Sequence, residues 1–282
     1  MPWRAPSDAS AVLAQARNEN FPVALRLLPR ALRRDLLALY GFARLVDDIG
    51  DEAPGDRLAA LDAVQRDLAR AFAGRAQHPV LRALEPTLAA HAFSARPFLD
   101  LIEANRRDQR GTRTQSWNEL LAYCALSANP VGRLVLGVFD AATPERERLS
   151  DAICSALQVI EHCQDVAEDA VRGRFYLPHE DLARSRCTEM DLVRSPAVPA
   201  LRSVVSQQIA RSRALLAEGE PLLAELRGFA RLAVAGFTAG GYAACDAIER
   251  AGFDVTSRTV RASKGARVLW MLRLLVRARW RS

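Results

Sequence analysis

The sequence predicts an all-α protein, and three observations predict it. Apolar residues recur at three- and four-residue spacing along almost the whole chain, which is the period of an amphipathic helix. No run of alternating β-branched residues bounded by turns, and no hairpin signal, interrupts that pattern. Proline and glycine fall mostly where the periodic segments stop. Half of the 282 residues are apolar and about a quarter are charged, a globular composition with enough length for a large core. With no linker and no internal repeat, the reading is one domain over 1–282, of which 258–282 is a basic amphipathic tail.

A first helix is expected over 8–18. The next opens near Pro29, with Leu32, Leu36, Leu37, Leu39 and Phe42 on its buried side, and closes at Asp51-Glu-Ala-Pro-Gly55. Asp56 to Phe72 forms an amphipathic helix ended by Gly74. His78 to His91 forms another, in which Pro86 predicts a kink or interruption because it lacks an amide N–H. A helix from Arg96 to Arg107 leads into Asp108–Ser116, a polar, positive passage predicted to be a mobile loop. Trp117 to Ala128 and 131–139 are helical around the stop at Asn129-Pro130. A long central helix runs from Pro144 to Gly173, and Tyr176-Leu-Pro178 is extended because the residue before proline avoids helical angles. After a loop or short helix over 181–195, helices are expected over 199–219 and 221–252. Gly236, Gly240 and Gly241 sit inside the second of these. Each costs a helix about 1 kcal/mol relative to alanine, so they predict a cavity or a close helix approach.

Composition also excludes functions. Cys124, Cys154, Cys163, Cys187 and Cys245 are odd in number and form no CxxC, which fits reduced thiols in the cytoplasm rather than a secreted disulfide framework. His78, His91, His162 and His179 have no zinc-ligand spacing. The start of the chain shows no signal-peptide pattern, and no uninterrupted apolar stretch approaches the ~20 residues of a spanning helix. The net charge of +6 is carried by arginine, Lys264 being the sole lysine. That charge suits a nucleic acid, an anionic membrane or a polyanionic small molecule.

The central helix carries Gln158-Val-Ile-Glu-His-Cys-Gln-Asp-Val-Ala-Glu-Asp169, followed by Arg172-Gly-Arg-Phe-Tyr-Leu-Pro178. Asp165 and Asp169 are one turn apart on one face, and Glu161 and Gln158 extend that polar stripe. Two carboxylates so placed repel each other unless a cation lies between them. Upstream, Asp47 and Asp51 repeat the spacing, preceded on the stripe by Tyr40 and Arg44. One such pair reads as a solvated helix end. Two pairs facing each other would form a cage of hard oxygens, and Mg²⁺ takes such ligands together with substrate phosphates. Arg44 is placed to pair with Asp47 or to offset the carboxylates beside a polyanion. Arg172 and Arg174 sit where they would also complement a helix C-terminus. His162 and Cys163 read as packing residues.

The two acidic motifs, with Arg-Gly-Arg-Phe-Tyr-Leu-Pro after the second, resemble the squalene/phytoene synthase family of head-to-head prenyl synthases. Asn20-Phe-Pro-Val-Ala24, Leu28-Pro-Arg and Ser127-Ala-Asn-Pro-Val-Gly132 look most like its bacterial hydroxysqualene-forming branch. The resemblance implies an isoprenoid-synthase-type helical bundle around a central apolar cavity. It implies Mg²⁺ ligation by Asp47, Asp51, Asp165 and Asp169, and diphosphate contacts near Arg44, Arg174 and Tyr176. It places Tyr123, Ala128, Gly132, Gln158 and Tyr242 along the cavity. Two positions depart from the family pattern: Glu161 stands where asparagine is common, and Thr114 where an Arg-Tyr pair is common.

By that likeness the chain is an enzyme that converts presqualene diphosphate to hydroxysqualene. The diphosphate ionises, the carbocation rearranges and water quenches it, without a nicotinamide cofactor. Condensation of two farnesyl diphosphates to presqualene diphosphate or to a C30/C40 polyene is the alternative. A catalytically inactive scaffold is the reading from another class. No groove-reading motif accompanies the basic tail, which argues against nucleic acid. Interleaved with Val268, Leu269, Trp270, Leu272 and Trp280, its arginines make it a candidate peripheral contact with the inner face of the membrane, or else a helix packed on the domain.

Overall fold

The computed structural model describes residues 28–281; the helix expected over 8–18 and the stretch Asn20–Ala24 lie outside the described residues. The described elements are α1 (Arg30–Asp51), α2 (Arg57–Ala71), α3 (Pro79–Ala90), α4 (Arg96–Asp108), α5 (Trp117–Ser127), α6 (Asn129–Val138), α7 (Pro144–Gln164), α8 (Val166–Val171), α9 (His179–Arg184), a 3-10 turn (Glu189–Val193), α10 (Pro199–Gly219), α11 (Leu222–Glu225), α12 (Gly228–Arg250) and α13 (Lys264–Arg281). The described residues contain no β-strand, and the β geometry among them is an isolated parallel bridge between Arg113 and Phe175. The protein is all-α, as its periodicity predicts.

These elements pack as two compact units. Residues up to Arg110 together with Pro130–Thr143 form the first, and Gly111–Asn129 with the residues from Pro144 onward form the second. The chain passes between them at a polar loop and at two X-Pro steps rather than through a linker, so no composition shift marks the crossings.

In the first unit, Leu36, Leu39, Phe42, Leu45, Val46 and Ile49 bury one face of α1. Phe42 meets Phe98 of α4 edge-to-face at 5.1 Å. Asp35 is buried in this layer, so its carboxylate needs partners. Thr87 donates to it at 3.0 Å, Arg34 lies 3.0 Å away, and His91 Nε2 approaches to 3.4 Å. Pro86 lies inside a continuous α3 instead of interrupting it. It is exposed, so the Arg82 carbonyl it leaves unbonded lies on the solvent side, where water can satisfy it.

In the second unit α7 packs along α10, and α13 packs on α11 and α12. A Cβ on Gly241 would meet Leu157 Cδ2 at 2.8 Å, so glycine there permits α12 to approach α7 closely. At Gly236 and Gly240 a Cβ would meet nothing within 4 Å. The glycines expected to leave space or allow close approach do both.

Three helix limits differ from expectation. The central helix breaks at Asp165 (φ −101°, ψ 12°) into α7 and α8. The break places Glu168 and Asp169 in the first turn of a new helix, where carboxylates are favoured, rather than in the last turn of an old one. The helix expected over 221–252 is interrupted at Leu226 and Arg227, both extended. The interruption buries Leu226, and the Arg231 guanidinium donates to the Leu226 carbonyl at 2.6 Å. Helix α6 restarts at Asn129, because the chain turns at Ala128 alone. The segment Trp117–Val138 is long and apolar enough to cross a membrane by length and composition, and half of it is buried within the protein.

Passage 108–116, expected to be a mobile loop, is tied down. Phe175 donates its amide to Thr112 at 2.8 Å, and Thr114 donates its amide to Phe175 at 3.1 Å. His179 donates to Thr114 at 3.0 Å, and Glu180 to Gln115 at 3.0 Å. The Thr114 hydroxyl donates to the Tyr176 carbonyl at 2.5 Å. Such pairing joins residues about sixty apart in the chain, which local pattern does not report.

Candidate functional site

The first acidic turn closes α1. Asp47 is solvent-exposed, yet protein surrounds it closely enough to push its pKa up to about 6; loss of hydration dominates and the Asp51 charge adds to it, while the Asn105 hydrogen bond and Arg44 oppose the rise. Asn105 of α4 donates its side-chain amide to Asp47 Oδ1 at 3.0 Å and to the Leu101 carbonyl at 3.3 Å. Gly50 leaves room for it: a Cβ there would stand 2.1 Å from Asn105 Oδ1. The Gly50 carbonyl accepts from Gln109 at 2.8 Å and from Arg57 at 3.1 Å, fixing the last turn of the helix.

Arg44 ion-pairs with Asp48 at 2.6 Å and lies 3.9 Å from Glu52. The guanidinium thus meets the buried Asp48 directly, and its charge also acts on Asp47. Burial raises the Asp48 pKa, with Arg44 opposing the rise. Tyr40, one turn back, lines an apolar pocket of about 50 Å³ with Leu36, Leu39, Leu101, Val131 and Leu134. Gly132 is buried in α6.

The second acidic turn lies at the α7–α8 break. Asp165 has its pKa raised by burial first, then by the charges of Asp169 and Glu168. The repulsion inferred from the spacing is present in the fold. Behind this turn stands a group of side chains that spacing does not reveal. The His162 ring stacks on Tyr176 at 3.8 Å, with 18° between the planes. Its Nδ1 lies 3.7 Å from Asp169 Oδ2, and its Nε2 lies 3.4 Å from Gln158 Nε2. Tyr123 packs on Tyr176 with ring centres 5.0 Å apart and hydroxyls 3.4 Å apart.

Arg174 lines a narrow pocket with His162, Val166, Asp169, Phe175 and Tyr176. Its amide donates to the Asp169 carbonyl at 2.9 Å, after Gly173 turns the chain at φ +76°. Arg172 pairs with Glu168 at 2.8 Å. The Arg113 guanidinium lies 4.1 Å above the Phe175 ring and also pairs with Glu189.

The second unit thus brings together Gln158, Tyr123, Asp169, Arg174 and Tyr176. Glu161 faces outward on α7, and Ala128 is buried at the turn before α6. Tyr242 makes its contacts elsewhere. It stacks on Trp270 of α13 at 4.5 Å and donates its hydroxyl to Glu220 at 2.7 Å.

Two residues were missed in the sequence. His162 read as packing, yet it touches an aspartate, a tyrosine and a glutamine of the predicted site. Asn105 was passed over within α4. A signal existed, since Phe98, Leu101, Ile102 and Asn105 share one helical face, and an amide among buried apolar residues needs a partner.

The donor chemistry fits Mg²⁺. Neither unit, among its described residues, gathers three or more His, Cys, Asp or Glu side chains into a metal-binding group. Each acidic turn offers two carboxylates, the number this ion takes from protein when phosphate and water oxygens complete its shell.

Comparison with known proteins bears on the family and the fold. The squalene/phytoene synthase family model matches residues 14–266. The hydroxysqualene synthase of Rhodopseudomonas palustris is 36% identical over 218 residues, covering 76% of this chain and 73% of that protein. The 15-cis-phytoene synthase of Synechococcus elongatus is 32% identical over 276 residues, 89% of each chain. The crystal structure of squalene synthase HpnC from Alicyclobacillus acidocaldarius superposes with a TM-score of 0.78 at 42% identity, over 89% of this chain and 97% of that one. A dehydrosqualene synthase crystal structure shares the fold, with a TM-score of 0.86 at 20% identity over 96% of each chain. The chain belongs to the squalene/phytoene synthase family.

Proposed function

We propose that the protein is a cytoplasmic, Mg²⁺-dependent enzyme that converts presqualene diphosphate to hydroxysqualene. The observation that supports it is the pair of aspartate turns. In each, one carboxyl is raised by lost hydration and by its neighbour's charge, in a chain 36% identical to hydroxysqualene synthases. Asp47 and Asp51 on the first unit, with Asp165 and Asp169 on the second, are the proposed metal ligands. When bound, Mg²⁺ would supply Lewis-acid neutralisation of the diphosphate leaving group. Asn105 fixes the carboxylate of Asp47. Arg174 presents a guanidinium whose paired N–H donors match phosphate oxygens.

The reaction breaks the C–O bond to diphosphate, rearranges the cyclopropylcarbinyl cation, and adds water, whose proton is released to the departed diphosphate or to solvent. The Tyr123, Tyr176 and His162 rings form a wall beside Asp169. Aromatic faces can stabilise a passing cation without attacking it.

Phytoene synthases are also close, one at 32% identity over 89% of the chain, and this favours head-to-head condensation of farnesyl diphosphate as the second reading. Purified protein with Mg²⁺ and no nicotinamide cofactor, given each diphosphate separately, distinguishes the two. Hydroxysqualene from presqualene diphosphate alone supports the first. Presqualene diphosphate or a polyene from farnesyl diphosphate supports the second. Turnover of neither points to a scaffold.

A further inference from the structure

The last helix is amphipathic in an unusual sense. Its inner side is used within the second unit: Leu274 and Ala278 are buried, Trp270 stacks on Tyr242 and donates to Asp246 at 2.7 Å, and Arg277 lies 3.4 Å from Glu220. Its outer side is apolar as well. Val268, Leu269, Leu272, Val276 and Trp280 are 49–84% exposed. Four of these recur every fourth residue and the fifth lies between them, so they share one face. Exposed apolar side chains scattered singly are ordinary, whereas a contiguous helical stripe marks a contact surface.

The charge around this stripe identifies the contact. From Arg258 to Ser282 the chain holds seven arginines and Lys264 and no acidic residue. These eight positive charges exceed the net +6 of the whole chain, so the remaining residues are together net negative. The excess positive charge of the protein is therefore concentrated in the segment that carries this helix, although Arg277 is used on its inner side and Arg267 bonds the Ala262 carbonyl. Lys264, Arg273 and Arg279 are exposed on it.

We infer that the outer face of α13 docks on an anionic lipid surface, with Val268, Leu272, Val276 and Trp280 entering the headgroup–acyl boundary and the basic residues meeting lipid phosphates. A second copy of the chain fits less well, because self-complementary pairing would set one acid-free basic rim against another. Nucleic acid fits less well too, because the centre of the face is apolar where a phosphate backbone requires cations. The inference stands independently of which diphosphate the enzyme consumes.

The full chain is tested by co-sedimentation with phosphatidylcholine vesicles, with and without a third of phosphatidylglycerol. We expect binding to the anionic vesicles, weakened by added salt, and little binding to the neutral ones. The Leu272→Glu/Val276→Glu variant should bind the anionic vesicles about tenfold or more weakly, with unchanged circular dichroism and melting because both side chains are exposed. A charge variant, Lys264→Gln/Arg279→Gln, leaves the apolar stripe intact and should lower both the affinity and its salt dependence. Absence of parental binding to anionic vesicles overturns the inference, as does equal binding by well-folded parent and variants. A concentration-dependent dimer that the glutamates dissolve, without vesicle binding, assigns the face to a second copy instead.

Discussion

The two acidic turns share an i,i+4 aspartate spacing and differ in everything that supports it. The first lies in an unbroken helix, where a neutral amide from α4 reaches Asp47 across a gap that Gly50 keeps clear. The second straddles a helix break and leans on an imidazole–phenol stack, itself tied by backbone bonds to passage 112–115. One turn is held by a directed hydrogen bond, the other by ring packing and a short parallel bridge. The ligand pattern is thus separable from its support. Four carboxylates need only spacing, whereas holding each carboxylate needs neighbours distant in sequence.

That difference can be broken at the first turn. Gly50→Ala drives a methyl into the Asn105 carboxamide. It should cost about 1–3 kcal/mol of stability and, by displacing Asn105 from Asp47, lower kcat/KM roughly 10- to 100-fold; denaturant melts and steady-state kinetics read both. Asn105→Ala removes the buttress without the clash. It should lower apparent Mg²⁺ affinity about 10- to 100-fold with a smaller change in melting, and an unchanged Mg²⁺ titration would refute the positioning role. At the second turn, His162→Phe preserves the stack on Tyr176 while removing Nδ1 from beside Asp169. Its effect on the Mg²⁺ titration should stay below about tenfold, since ring packing is the support retained. Thr114→Val deletes the hydroxyl bond to the Tyr176 carbonyl and should cost about 1 kcal/mol, seen as a lower melting temperature.

The sign of one pH effect sharpens the comparison further. In the folded chain Asp47 titrates near 6, above its ordinary 3.8. In buffer with a chelator, the folded chain takes up this proton between about pH 6 and pH 4 while the unfolded chain stays ionised. Stability from this group is therefore lowest above the folded pKa and rises as pH falls through that window. Asp47→Asn removes the cost, so the variant should melt above its parent near neutrality and lose that advantage by about pH 4. A gap independent of pH would contradict the poor hydration of Asp47.

Much of this was legible in the sequence. The helices, the aspartate pairs, the end at Gly173 and the glycines of α12 all follow from local spacing and local backbone preference. The break at Leu226 was not legible, because it depends on burying that leucine and on the Arg231 side chain bonding its carbonyl. Passage 108–116 looked like a free polar loop for the same reason: the partners of its backbone lie near residues 175–180. His162 and Asn105 were overlooked because a lone imidazole or amide on a helix is read by what it touches, and those contacts exist only once the chain has folded. In the tail, alternating basic and apolar residues left packing and membrane contact as competing readings. The structure packs one side of α13 and leaves an apolar stripe on the other.

The central claim is that the aspartate turns carry the chemistry. Conversion of presqualene diphosphate is the direct assay: Asp165→Asn and the parent chain are given this substrate with Mg²⁺, and hydroxysqualene is quantified alongside circular dichroism. The account predicts steady product from the parent and a loss of about a thousandfold or more from the variant, with both chains equally folded. A folded Asp165→Asn that forms hydroxysqualene at the parental rate would contradict it.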